Sequence, residues 1–253
     1  KDDFDVLDLH TYTTPPEDLF GRIKTVREIM ARYGDENKPI ISTEFGYADT
    51  PEGPEGVSPL KKAQFLVRGL VIHYVLGFRR VYVYSLVDVG TDPHDNEHHF
   101  GLLDFDLQKK PAYYAVCNLG KQLGDCDLSG PLTGASVPTY GYQFTSAQNG
   151  DYVAVIWNGE QEQVGTFSTT SAEVQVVDMF GKARRIILDA DKRFSLPYGA
   201  SPIFIRSDSP LTLLTSEASS RAPRSVDDES KITFTLAQQN LVVRADVKQR
   251  DLG

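Results

Sequence analysis

KPIISTEFGYADT, residues 38–50, is the stretch from which the rest of the chain is read: an apolar run follows a proline and ends on a bare carboxylate, Glu44, with Phe45 and Gly46 directly after it. Ile40, Ile41 and Thr43 have the β-branched character of a strand, and such a strand ordinarily gives way to a turn residue rather than to a group that resists burial. A carboxylate in that place is one the fold holds for a purpose.

Working outward, FDVLDLHTY (4–12) is a strand before it and RVYVYSLVD (80–88) a strand after it, with helical patterns between. Residues 17–33 keep Leu19, Phe20, Ile23, Val26, Ile29, Met30 and Tyr33 at helical spacing and close on Gly34. Ser58 and Pro59 cap a second helix that runs to Gly77, and a third starts at Pro111 and stops at Gly124. Strand–helix alternation over residues 1–124 implies parallel strands joined by right-handed crossovers. Three such units fall short of the number that closes a barrel.

Farther along the periodicity changes. Strand-like runs at 137–145, 151–158, 163–169, 173–181, 184–189, 193–197 and 202–206 are separated by turns such as QNGD, NGEQ and PYGA, the pattern of an antiparallel β-sandwich over residues 125–206. Residues 207–230, rich in Ser, Pro, Asp and Glu, read as a linker or exposed loop. KITFTLAQQNLVVRADV (231–247) then reads as one or two strands that either complete the sandwich or open a further domain.

Composition limits the partners. The 253 residues are 40% hydrophobic and 24% charged, with a net charge of −9, which argues against nucleic acid, since binders of polyanions need clustered Lys and Arg. A neutral or polymeric substrate fits better. Arg68 and His73 interrupt the most apolar helix-length stretch, FLVRGLVIHYVLG, so no membrane span is expected. Cys117 and Cys126 are too few for a disulfide scaffold and not spaced as a metal knuckle; one bridge is within reach, but two structural thiols are expected. The opening KDDFDVLDLH has neither an initiator methionine nor a charged-then-apolar leader, so a processed product or further upstream sequence is expected, with localisation open.

Alternate strand residues share a face, which pairs His10 with Tyr12, Ser42 with Glu44 and Tyr82 with Tyr84. With parallel neighbours, the C-terminal strand ends bring His10, Tyr12, Glu44 and Tyr84 to one opening, on the edge where parallel α/β folds bind ligands. A carboxylate beside a tyrosine hydroxyl and an imidazole keeps one rotamer and stays ionised, ready to attack an electrophilic carbon. The plain alternative is a loop cap or an ion pair. HDNEHH (94–99) has the look of a metal site, but TDP before it and FGLL after it favour a rim loop without metal. Asp88 is expected to fix its loop as an Asx turn. Trp157 reads as a sandwich core anchor, and Tyr113 and Tyr114 as packing residues.

HTY, ISTEFGY and YSLVDVGTDPHDNEHHFGLLDFDLQKKPAYYAV, in that order, resemble the last three βα units of a clan A glycoside hydrolase, a (β/α)8 barrel, nearest to family 39, in which a small β-sandwich follows the barrel. VVDMFGK and PIFIR resemble strands of that sandwich, so the likeness covers residues 4–206. It implies an α/β plus all-β chain: a partial, half-type TIM barrel (1–124), then the sandwich (125–206); residues 207–253 stay as read above, a linker and extra strands. By the resemblance Glu44 matches the nucleophile at the end of the seventh strand, and His10 and Tyr12 match the sixth-strand pair that lines the sugar subsite and orients it. Tyr84 falls near the eighth-strand aromatic on which the sugar rests, where the usual Trp is absent. The reaction implied is retaining hydrolysis of β-glycosides, with a carbohydrate substrate and no cofactor.

The clan's acid/base Glu follows an Asn at the end of the fourth strand, and no Asn-Glu in that context occurs here; Asn96-Glu97 follows the third strand, in a loop, so the role is not carried over. A retaining mechanism needs two carboxyl groups about 5 to 5.5 Å apart. The second is expected from an absent N-terminal segment, from a second copy, or from a local carboxylate among Asp8, Asp88, Asp92 and Glu97. Bare edges on a three-stranded parallel sheet call for a covering polypeptide, either a homo-oligomer mate or an N-terminal half-barrel partner. The rival reading is a catalytically inactive carbohydrate-binding or scaffolding half-barrel.

Overall fold

The computed structural model describes residues 4–219 apart from 51, 54, 55 and 160; the strands expected at 231–247 lie outside the described residues. Two compact units divide between Val116 and Cys117.

The first unit holds three parallel strands, β1 (Leu7–His10), β2 (Ile40–Phe45) and β3 (Arg80–Val83), in the order β1-β2-β3. They alternate with helices α1 (Asp18–Arg32), α2 (Pro59–Val75) and α3 (Pro111–Leu123), and α3 crosses from the first unit into the second. The Ser58 side chain accepts the Lys61 N–H (3.2 Å) and Pro59 starts α2 where its missing N–H costs nothing. Leu19, Ile23 and Met30 of α1 are buried, and the buried Arg68 of α2 forms an ion pair with Glu17 ahead of α1. Gly69 lets α2 approach β2 closely, since a Cβ there would stand 2.1 Å from the Phe45 ring.

The outer strands are shorter than expected, because the sheet ends where β2 ends. The strand that carries Glu44 differs too. Strict alternation puts Ser42 and Glu44 on one face, but the register slips: Leu9 pairs with Ser42 and the next residue, His10, pairs with Glu44. On the other side Ser42 pairs with Val81 and Phe45 with Val83. Ile40, Ser42 and Phe45 are buried, whereas Ile41, Thr43 and Glu44 are only half-buried. One extra residue at Thr43, a β-bulge, therefore separates Ser42 from Glu44 and re-aims the carboxylate to the less covered face.

Past β3 the chain folds back on itself, with Ser85 N–H donating to Phe100 O and Leu102 N–H to Ser85 O (3.2 and 3.0 Å). A buried ionic cluster fastens this loop. Lys62 Nζ donates to Asp49 Oδ1 and to the carbonyls of His99 and Gly101 (2.9, 2.8 and 2.7 Å), and Lys110 pairs with both Asp49 and Asp88. Burial pushes the Lys62 ammonium down to about 8 in spite of the carboxylate beside it.

Among the described residues of the second unit the named strands pair antiparallel. One sheet runs β4 (Cys126–Pro131), β5 (Thr139–Ser146), β6 (Tyr152–Asn158), β11 (Ile203–Ser207), β8 (Glu173–Val177), β9 (Ala183–Ile187); the other runs β10 (Arg193–Tyr198), β7 (Gln163–Ser168), β12 (Thr212–Ala218). They share one core, to which the first sheet gives Ala154, Ile156, Val174, Val176 and Ile205 and the second gives Phe167, Phe194, Leu196, Tyr198 and Leu213. Trp157 is fully buried and stacks on Tyr140, centroids 5.5 Å apart. Cys117 and Cys126 are not bridged.

Two strands escape the sequence pattern. The segment read as linker contains β12, which pairs with β7 and buries Leu213 while residues 214–218 stay outside, so its composition looks like that of a loop. β4, CDLSGP, is an edge strand that carries a glycine and ends on a proline, both of which edges tolerate.

Candidate active site

The less covered face of the β2 end carries the candidate site. Tyr12 Oη donates to Glu44 Oε2 at 3.1 Å, and His10 Nδ1 lies 3.2 Å from the same oxygen. The carboxylate side chain is 38% exposed, so a solute can reach it. Burial, then the hydrogen bond to Glu44, push the Tyr12 phenol well above its usual value, which keeps its proton on oxygen as a donor to the carboxylate. Gly46 is required directly after this strand, because a Cβ there would meet the Tyr84 carbonyl at 1.9 Å. Phe45, on the opposite face, is fully buried against Tyr47 and His73 (centroids 5.4 and 4.6 Å). The peptide between an anchored aromatic and a glycine thus fixes Glu44 from the C-terminal side.

Behind the carboxylate lies a set of groups that reading the strands as alternating faces does not find. Glu44 O accepts the Thr11 N–H (2.9 Å) and the Ser42 hydroxyl (3.0 Å). Thr11 Oγ1 is 2.6 Å from Ser42 Oγ and 2.7 Å from His73 Nε2, and His73 Nδ1 is 2.7 Å from Gly69 O. A carbonyl only accepts, so Nδ1 carries the proton and Nε2 accepts from Thr11. Burial lowers His73 to about 4, in keeping with a neutral ring. The signal the sequence offers for this set is a histidine in the middle of an apolar helix.

Tyr84 is not bonded to Glu44. Its hydroxyl donates to Glu97 Oε2 (3.0 Å), a bond that heads the causes raising its pKa. The Phe100 ring stands between the two tyrosines, edge-on at 6.0 Å from Tyr12 and 5.3 Å from Tyr84. Glu44 and Glu97 both act on each of these phenols electrostatically, raising their pKa values.

The remaining carboxylates are otherwise engaged. Asp8 holds Thr43 through its hydroxyl and N–H (2.7 to 3.1 Å). Asp88 is buried, pairs with Lys110 and accepts the Gly101 N–H at 2.7 Å; it fixes its loop across the fold rather than as the expected Asx turn. Asp92 accepts the His94 N–H, gives its own N–H to His98 Nδ1, and its carbonyl contacts His99 Nε2 at 2.8 Å. Asn96–His99 is a 3-10 turn, not an α-helix, and His94 and His98 face separate carboxylates, Glu52 and Asp95, each at 3.6 Å. Among the described residues no group of three or more His, Cys, Asp or Glu is arranged to hold a metal ion, and no helix is long and apolar enough to cross a membrane.

No protein-family model and no curated protein matches the chain. Solved structures do. A family 39 glycoside hydrolase from Bacteroides cellulosilyticus superposes with a TM-score of 0.57 at 20% identity, over 74% of this chain and 37% of that one. A glucosidase from Croceicoccus marinus gives 0.55 at 11%, over 83% and 53%. A family 30 endoxylanase from Clostridium papyrosolvens gives 0.51 at 16%, over 81% and 49%. The structural neighbours of this mixed α/β chain are thus glycoside hydrolases, and the likeness is one of fold. The chain spans between 37% and 53% of the length of these three.

Proposed function

We propose that this chain carries the nucleophile of a retaining β-glycosidase. Glu44 attacks the anomeric carbon, the aglycone leaves with its electron pair, and a glycosyl-enzyme ester forms that water later cleaves with retention. The observation that carries this reading is the single carboxylate oxygen approached by both Tyr12 and His10 at the end of the central parallel strand. Tyr12 and His10 steady the anion and contact sugar hydroxyls, and Tyr84 forms an aromatic wall for the ring. The fold of the neighbours supports it. The architecture proposed is the C-terminal part of a (β/α)8 barrel followed by a β-sandwich.

The acid/base is assigned to polypeptide that covers the β1 and β3 edges, which pair with no further strand among the described residues: an N-terminal half-barrel or a second copy. Asp8, Asp88 and Asp92 are committed to structure, which leaves Glu97 as the local alternative. A general acid matters most when the leaving group is poor. Dinitrophenyl β-xyloside and β-glucoside, whose leaving groups need no proton, therefore test Glu44 by itself. The expected result is a burst of dinitrophenolate and a glycosyl mass increment mapped to Glu44, both absent in Glu44→Gln. A folded protein that gives neither with a panel of such glycosides would sink the proposal and favour the catalytically inactive carbohydrate-binding half-barrel.

A further inference from the structure

Beside the Glu44 cluster, and sharing Tyr12 with it, is a pocket of about 370 Å³ whose walls include Thr13, Tyr47, Asn96 and Phe100. Two polar atoms of residues lining it, Thr13 Oγ1 and Asn96 Oδ1, are buried and make no hydrogen bond among the described residues. Thr13 is only 7% exposed. Its backbone is pinned by the Tyr47 hydroxyl, which donates to Thr13 O at 2.9 Å, and Asn96 Oδ1 lies where a Cβ on Gly53 would stand 2.3 Å away. Native proteins pair nearly all buried polar atoms, so two left unpaired on residues that line one cavity point to a bound partner.

The chemistry of the walls narrows that partner. Thr13 Oγ1 both gives and takes a hydrogen bond, and Asn96 Oδ1 takes one, which suits neighbouring hydroxyls. The rings of Tyr12, Tyr47 and Phe100 offer apolar surface for the C–H face of a sugar. No charged side chain lines the pocket among the described residues, so an anion finds no counter-charge there. The volume lies at the small end of ligand sites, which span roughly 300 to 1,000 Å³. We infer that this pocket seats one neutral pyranose unit of the substrate, through Thr13 and Asn96, and discriminates against a uronate. The inference rests on the glycosidase reading and specifies its substrate class.

Nitrogen-15 and proton NMR titrations of the chain with xylobiose and with methyl β-glucuronide test it. Xylobiose is expected to shift both the Asn96 side-chain amide and the His10 ring signals, and the glucuronide to leave Asn96 unmoved. Thr13→Val should weaken xylobiose about threefold to tenfold, the equivalent of one neutral hydrogen bond, while Thr13→Ser retains wild-type affinity. If xylobiose moves His10 but not Asn96, the pocket assignment is wrong and the glycosidase reading stands. If it moves neither, both fall. Equal response of Asn96 to the glucuronide overturns the selectivity for neutral sugars.

Discussion

Tyr12 and Glu44 illustrate what a residue pair contributes. The phenol keeps its proton because burial and the adjacent anion both oppose a second charge, so it can only stabilise the carboxylate. A hydrogen bond to a charged group is worth roughly 1.5 to 3 kcal/mol. Tyr12→Phe should therefore slow the dinitrophenolate burst by about tenfold to a hundredfold without unfolding the protein, and an unchanged burst would remove Tyr12 from the proposed site. Glu44, His10 and Tyr12 were legible because an ionisable group at a strand end is out of place on composition alone. Thr11, Ser42 and His73 were not. Thr11 and Ser42 are ordinary residue types for their places, His73 stands out only as a histidine in an apolar helix, and only the packing of α2 on the sheet brings the three together.

Elements were legible where chain chemistry is local. Ser58 and Pro59 announce α2, and the helical stripe announces α1, because caps and periodicity act within a turn or two. β12 depends on a partner strand supplied from far along the chain, β4 is an edge strand that carries a glycine and a proline, and the bulge at Thr43 depends on neighbours on both sides of β2; none leaves a local mark. The contact of α2 with β2 yields a prediction at this scale. Alanine favours a helix over glycine by about 1 kcal/mol. At position 69, however, its Cβ meets the ring of a fully buried phenylalanine that has no room to move, and overpacking of that kind costs about 1 to 3 kcal/mol. Gly69→Ala should thus lower stability in chemical unfolding by up to about 2 kcal/mol net, and a more stable variant would show that the helix can shift outward.

At the scale of the molecule, stability depends on pH through His73. Its folded pKa, about 4, lies below the usual value of 6.5, so between these values the unfolded chain binds more protons than the folded one. Stability from this group is complete above about pH 6.5 and is lost as pH falls towards 4. The loss by pH 5 should be about 2 kcal/mol, since a tenfold difference in proton affinity corresponds to about 1.4 kcal/mol. Urea unfolding at pH 7 and pH 5 checks this, and equal midpoints would mean that the ring is charged or hydrated in the folded state. The bulge at Thr43 bears on the molecule in another way. Orientation of the reactive group is set there by whether Thr43 is taken up as an extra residue, not by which side chain it carries, so scanning substitutions along the strand would pass it over. Were Thr43 paired regularly instead, Glu44 would share the face of Ser42 and turn towards α2, with Phe45 brought out to where the chemistry had been; were Thr43 deleted, Glu44 would follow Ser42 directly and keep its present face.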